Sequence, residues 1–287
     1  MLNLALCQID VNKDKAITFA SIRRAIAEAV TTPHNATLIM LPECLNSPYN
    51  INNFAQFAEP VPALGDDVDP ISSPSLALFS ELAKDHGVYL IAGTIIEYDE
   101  GKLFNTCTVW SPNGTLIAIH RKTHLFSVSI PATDTVPAMN FHEEEVLSPG
   151  EDITTFHIPG FGSVGLGICF AMRFHKLATA TCAAADDVKL LAYPAAFSTT
   201  TLAYFHPIQR GRAIDHQVFV AACSPARDET EGVYHACAES SIFAPNGQLI
   251  AKAGIKSEVV SATLNLAEIA KENACIPLLD RDEAFYS

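Results

Sequence analysis

The chain has 287 residues, 49% of them hydrophobic and 17% charged, with a formal net charge of −14. That length and apolar content suffice for a large buried core, and the modest charged fraction excludes a disordered acidic protein. The negative balance argues against nucleic acid as a partner, because phosphate binding needs a positive footprint.

The first residues, Met1 to Asp10, have no basic leader, and their apolar run is too short for a signal peptide or a membrane span. A cytoplasmic protein with no membrane partner is therefore expected, and Leu2 to Cys7 predicts a first strand. A helix is predicted over Ala16 to Val30, a strand over Leu38 to Leu41 and a helix over Pro74 to Asp85. Strands are predicted over Val88 to Ala92 and Thr106 to Trp110. The second half repeats the alternation. Strands are expected at Val164 to Cys169, Leu190 to Tyr193, Val218 to Ala222 and Ser241 to Phe243, with helices at His175 to Ala185 and Pro207 to Asp215. Eight cysteines occur without a C-x-x-C pair, which in a chain expected to stay in the cytosol predicts reduced, buried thiols.

The repetition extends to individual residues. Trp110-Ser-Pro-Asn-Gly-Thr-Leu-Ile-Ala118 parallels Phe243-Ala-Pro-Asn-Gly-Gln-Leu-Ile-Ala251, and each Pro-Asn-Gly marks a hairpin turn. Leu38-Ile-Met-Leu-Pro42 parallels Leu190-Leu-Ala-Tyr-Pro194, and Leu4-Ala-Leu-Cys7 parallels Leu166-Gly-Ile-Cys169. Two related halves follow, each a sheet covered by helices on one face. Packed sheet against sheet, they form a four-layer α-β-β-α sandwich in a single α/β domain over residues 1–287.

Three residues stand where chemistry is expected. Cys169 ends an apolar run leading into a helix, where backbone amides lower a thiol pKa and bind an oxyanion. Glu43 directly follows a buried strand, so poor solvation should raise its pKa toward that of a general base. Lys122, just past the first Pro-Asn-Gly hairpin, could hold a developing oxyanion. Taken singly, each is better explained as a core thiol, a strand-end carboxylate or a solvated lysine. Two other patterns are rejected. Gly160-Phe-Gly162-Ser-Val-Gly165 has dinucleotide-binding spacing but opens a strand, and His120 and His124 are spaced like zinc ligands outside any helical pattern.

Together these segments resemble the nitrilase superfamily, most closely its omega-amidase branch, from Leu4 to the carboxyl terminus. The resemblance is carried by Leu41-Pro-Glu-Cys-Leu-Asn-Ser-Pro-Tyr49, Gly101 to Cys107, His120 to Phe126, Phe141-His-Glu143, Leu147-Ser-Pro-Gly150, Gly165-Leu-Gly-Ile-Cys169 with Met172-Arg-Phe174, Gln209 to Asp215 and Ser224-Pro-Ala-Arg227. It implies Cys169 as nucleophile, Glu43 as base, and Lys122 with the Phe170 N–H as oxyanion donors. Glu143 would be a second, supporting glutamate. The reaction would be hydrolysis of a small carboxylate-bearing amide through a thioester, with release of ammonia. Arg173, Tyr49 and Phe197 would shape the substrate pocket, Arg173 by pairing with the carboxylate. No metal or other cofactor is implied, and a homodimer through the helices beside the nucleophile is.

The chain also departs from the branch. Ala171 replaces an aspartate beside the nucleophile, and Ser127 and Ser129 replace two more acidic residues. The segment from Pro131 to Asn140 is lengthened, Ser198 to Ile208 lacks a tryptophan, and Ala238-Glu239-Ser240 stands for Gly-His-Ser. These changes keep two alternatives open: a related hydrolase of deaminated glutathione or an N-carbamoyl amino acid, and an inactive scaffold on the same fold.

Overall fold

A computed structural model describes residues 1–133, 138–230 and 233–278. The first half runs β1 (Leu2–Gln8), α1 (Lys15–Ala29), β2 (Leu38–Met40), a short α2 (Phe54–Phe57), α3 (Pro74–His86), β3 (Tyr89–Asp99), β4 (Lys102–Trp110) and β5 (Leu116–Arg121). A separate hairpin, β6 (Ser127–Ile130) and β7 (Met139–His142), follows. The second half runs β8 (Thr155–Ile158), β9 (Gly162–Leu166), α4 (His175–Ala183), β10 (Val188–Pro194), α5 (Leu202–His216), β11 (Phe219–Cys223), β12 (Ser241–Phe243) and β13 (Leu249–Lys252). β14 (Glu258–Leu264) and α6 (Leu266–Cys275) complete it.

The two main sheets have the same topology. One is ordered β14-β1-β2-β3-β4-β5 and the other β8-β9-β10-β11-β12-β13. In each, three parallel strands are followed by an antiparallel hairpin. An antiparallel strand edges each sheet beside its parallel set: β8 pairs with β9, and β14 returns from the second half to pair with β1. β2, β9 and β11 are buried along their whole length, as strands covered on both faces must be.

Alternation along each strand separates the layers. Leu4, Leu6, Leu38 and Met40 share a core with Val164, Leu166, Leu190 and Val220 of the opposite sheet. Their neighbours Ala5, Cys7, Ile39 and Leu41 pack instead with Ile22 and Ile26 of α1 and with Leu76, Phe79 and Leu82 of α3. α4 and α5 cover the second sheet, which completes the expected α-β-β-α order. Local chemistry sets the helix ends. Asp14 caps α1 by accepting from Ala16 N at 2.9 Å. The buried Glu59 carboxylate accepts from Ser75 N at 2.9 Å in the first turn of α3, and Gly87 closes that helix in the left-handed region.

Three expectations need correction. α5 begins at Leu202, so Pro207 lies inside the helix rather than at its start. A proline near a helix's beginning removes one hydrogen bond without ending the helix. β9 stops at Leu166, because Cys169 has φ +46° and cannot continue a strand. The third concerns the repeat. Leu38 and Met40 pair with Leu4 and Leu6, whereas their counterparts Leu190 and Ala192 pair with Val164 and Leu166. Leu4 therefore corresponds to Val164, and the match of Leu4-Cys7 to Leu166-Cys169 was out of register. The hairpin match holds residue for residue, since Trp110 faces Leu116 as Phe243 faces Leu249.

Ala238 adopts φ +58°, a left-handed conformation in which a Cβ is strained. Ala238→Gly should raise stability by about 0.5–1 kcal/mol, after the greater unfolded-state entropy of glycine is allowed for. Chemical denaturation of the two proteins checks this.

Candidate active site

The site forms where strand ends from both sheets converge. Past β2, the Pro42 carbonyl accepts from Thr94 N at 3.2 Å. Gly93 makes room for this approach: it has φ +61°, and a Cβ there would stand 2.0 Å from the Pro42 oxygen. The next residue, Glu43, donates its N–H to Ala195 O, beyond β10 in the opposite sheet, at 3.3 Å. Its side chain is fully buried. Oε1 accepts from Lys122 Nζ and from Asn105 Nδ2, both at 2.8 Å. Oε2 has no hydrogen-bond partner among the described residues.

Lys122 leaves the end of β5, its N–H held by Asn105 O at 2.8 Å and its carbonyl by Gly150 N at 2.9 Å. Its ammonium is completely buried between Glu43 and Glu143, 2.9 Å from Glu143 Oε2. Glu143 starts a 3₁₀ turn after β7. Its N–H donates to Phe126 O at 3.0 Å, and its Oε2 accepts from Phe126 N at 2.6 Å. Glu144 and Glu145 are exposed while Glu143 is buried, so the acidic run is not simply a solvated face. Cys169 opens the 3₁₀ turn Cys169–Arg173. The Ala196 N–H donates to its sulfur at 3.5 Å. Phe170 N lies in the first turn, where N–H groups have no partner within the helix.

Burial raises the Glu43 carboxyl above its usual range. The Lys122 charge pulls it back only in part, and Glu143 adds to the rise. Burial alone would lower Lys122, but the Glu143 and Glu43 carboxylates outweigh it and hold the ammonium above its ordinary value. The thiol differs from the expectation. Burial, followed by the Glu43 charge, pushes Cys169 well up despite the opposing pull of Lys122 and the Ala196 N–H. Cys169 is therefore a neutral thiol at rest, close enough to Glu43 for each to shift the other's proton affinity.

A tight space of about 10 Å³ adjoins Cys169, walled by Phe126, Phe170, Arg173, Phe197 and Tyr234. Phe170, Arg173 and Phe197 thus stand where the sequence predicted pocket residues. The Arg173 guanidinium packs on aromatic rings, 4.8 Å from the Tyr204 centroid and 5.5 Å from that of Phe197. It has no carboxylate partner among the described residues, and its Nε is buried without an acceptor. Tyr49 is placed otherwise than expected. Its hydroxyl donates to Glu143 Oε1 at 2.6 Å, so it orients that carboxylate rather than reaching toward a substrate. His120 and His124 diverge. His120 is buried against Thr154 at 3.0 Å, with its pKa pushed down to about 4 by burial, and His124 stacks on Phe174.

Sequence reasoning missed Asn105, Tyr234 and the Ala195–Ala196 segment. Ala195 accepts from Glu43 and Ala196 donates to Cys169, so one stretch of backbone holds both. The repeat carried a signal for it, since Ala195 follows Pro194 as Glu43 follows Pro42.

This fold and the groups meeting at its strand ends define a class of hydrolase. Residues 3–272 match the family model for carbon-nitrogen hydrolases, and the chain belongs to that family. It hydrolyses carbon–nitrogen bonds other than peptide bonds. It is 41% identical to omega-amidase NIT2 of Danio rerio over 276 residues, covering 96% of this chain and 92% of that one. Human omega-amidase NIT2 is 40% identical with the same coverage. Nit3 of Saccharomyces cerevisiae, a member of branch 10 of the nitrilase superfamily, superposes with a TM-score of 0.84 at 34% identity, covering 97% of this chain and 95% of its own.

Lys122→Met leaves two carboxylates facing each other in the interior and should cost about 3–5 kcal/mol of stability. The additional change Glu143→Gln should recover part of that loss. A double-mutant cycle measured by thermal unfolding reads both.

Proposed function

We propose that the chain is an omega-amidase-like enzyme that hydrolyses the amide of a small carboxylate-bearing acid. The observation that carries this reading is Arg173, a guanidinium with no acidic partner among the described residues, at the wall of the Cys169 pocket. An arginine so placed suits a planar carboxylate, with two parallel hydrogen bonds.

In the proposed reaction Glu43 takes the thiol proton as Cys169 attacks the amide carbonyl. Lys122 and the Phe170 N–H receive the oxyanion. Ammonia leaves with the proton held by Glu43, and a thioester remains. Water then attacks the thioester, giving its proton to Glu43, and the acid and the thiol are regenerated. The charge arithmetic supports this assignment. At rest Glu43, Glu143 and Lys122 sum to −1, with Cys169 neutral. When Glu43 becomes neutral and an oxyanion forms, the sum is unchanged. The negative charge moves within the site, and no new charge is created in a poorly solvated place. The intact set of buried groups also weighs against an inactive scaffold.

Ammonia release from succinamate, an N-carbamoyl amino acid and a neutral amide of similar size tests the reading. Succinamate should be preferred, and Cys169→Ala should abolish turnover. Arg173→Gln should lower kcat/KM by about 10- to 100-fold for succinamate, the loss of a charge-assisted pair, and change the neutral amide little. Because Glu43 must be ionised to accept the proton and burial raises its pKa, the acid limb of the kcat/KM profile should lie above the ordinary glutamate value of about 4.3. A limb at or below that value would remove Glu43 as the base.

We further propose a homodimer through the face formed by α4 and α5. Tyr204 and Ile214 of α5 are exposed there, and Ile214 lines a shallow groove of about 710 Å³ with the exposed Leu249 of the adjoining β12–β13 hairpin. Sedimentation at micromolar concentration should give a dimer, and Ile214→Asp should shift it toward monomer.

A further inference from the structure

Among the described residues the buried carboxylates are Glu43, Glu59, Glu97 and Glu143. In the last three both oxygens are bonded. Glu59 accepts from Lys15 Nζ and Ser75 Oγ on Oε1 and from Ser75 N on Oε2. Glu97 accepts from Arg121 on both oxygens and from Thr106 on Oε2. Glu143 accepts from Tyr49 on Oε1 and from Phe126 N on Oε2, with the Lys122 ammonium beside both. Glu43 differs. Its Oε1 accepts from Lys122 Nζ and from Asn105 Nδ2, both at 2.8 Å, while its Oε2 has no partner among the described residues. Two donors fill the lone pairs of one oxygen, so only the other is left to take a proton. A buried oxygen without a donor is costly.

Strand pairing explains how the two donors meet. β4 and β5 are antiparallel, with Thr106 opposite Arg121. The adjoining residues Asn105 and Lys122 are joined by the Lys122 N–H donating to Asn105 O at 2.8 Å. Successive side chains along a strand point to opposite faces, and opposed residues share a face. Thr106 and Arg121 therefore meet Glu97, while Asn105 and Lys122 meet Glu43. Lys122 is a point charge divided between Glu43 and Glu143, so it orients neither carboxylate by itself. The Asn105 amide is planar and wholly buried, and its own Oδ1 has no partner among the described residues. The bond to Glu43 is thus made while an acceptor on the same amide is left bare.

We propose that Asn105 is a positioning residue for Glu43: by sharing Oε1 with Lys122, it leaves Oε2 as the oxygen that takes the Cys169 proton. The inference rests on the amidase reading, in which Glu43 is the base. The S–H bond breaks, the proton passes to Oε2, and the sulfur's electron pair forms the bond to the amide carbon. A hydrogen bond donated to a carboxylate favours its ionised form. Asn105 therefore works with Lys122 against the rise that burial and Glu143 impose on Glu43. The other titratable groups facing Glu43 are Cys169, Cys44, Tyr49 and Tyr234. Burial raises each of them, so they stay neutral in the acid range.

The test is the pH profile of Asn105→Leu, which replaces the amide by an apolar branch and leaves the Lys122–Glu43 pair in place. Two rates are measured across the acid range. One is kcat/KM for ammonia release from succinamate. The other is alkylation of Cys169 by iodoacetamide, followed by peptide mass spectrometry. In alkylation the sulfur displaces iodide and its proton passes to Glu43, so no amide turnover is needed. Both acid limbs should move to higher pH by about one unit, the loss of a hydrogen bond to a charged group. If Asn105→Leu does not fold, Asn105→Ser decides, because its shorter side chain does not reach Glu43. An alkylation limb that is absent from wild type or unmoved in the folded variant would overturn the role of Asn105, as would an unmoved kcat/KM limb, however much activity is lost. A wild-type protein that releases no ammonia from any amide removes the amidase reading, and the alkylation profiles then decide on Asn105 alone.

Discussion

One buried ammonium organises the centre of this protein. Lys122 sits with no solvent exposure between Glu43 and Glu143, and each of the three would be costly to bury alone. The cluster ties three strand exits together: the end of β2 through Glu43, the end of β5 through Lys122 and the end of β7 through Glu143. Asn105 N–H donates to one carboxylate and Tyr49 and Phe126 donate to the other, so the acceptors are held as firmly as the donor. Such a cluster is poor value as a source of stability, because apolar residues of the same volume would pack at least as well. What the cluster does hold together is a carboxylate of raised pKa, a neutral thiol beside it and a buried ammonium.

The second sheet contributes differently. It supplies Cys169 on a strained residue just beyond β9, and the Ala195–Ala196 backbone that bonds to both Glu43 and Cys169. Ala195 stands at the position in its half that Glu43 occupies in the other. Near-symmetry thus brings the two strand ends face to face, and divergence makes them compatible. A second carboxylate at residue 195 would meet Glu43 with no further cation to balance it. The small alanine allows the backbone of one sheet to serve the side chain of the other.

Departures from the omega-amidase pattern fall around this centre rather than in it. Ala171 is 1% exposed inside the turn that carries Cys169, so an aspartate there would add a buried negative charge near the thiol. Ser127 and Ser129 face His142 across the β6–β7 hairpin, at 2.8 and 3.3 Å. Neutral hydroxyls in that seam replace what would be ion pairs. Glu239, in place of a histidine, lies 3.2 Å from Lys252. Part of the lengthened segment, 134–137, falls outside the described residues.

Most of the architecture was legible in the sequence because it is encoded locally. Apolar runs marked the strands, helical spacing marked α1 and α3, and two Pro-Asn-Gly turns marked equivalent hairpins. Glu43, Lys122, Cys169 and Glu143 were legible as ordered motifs, and the fold brings all four into one buried site. What failed depended on contacts between distant segments. The match of β1 to β9 slipped because short apolar stretches look alike until strand pairing sets their register. Tyr49 was assigned to substrate because its Glu143 partner lies 94 residues away. Cys169 was expected to be acidified by local amides, but burial from every side outweighs them. The sequence by itself determined which groups are present and at which strand ends. Only the tertiary structure decided their proton affinities and their partners, because both depend on what surrounds a side chain in space.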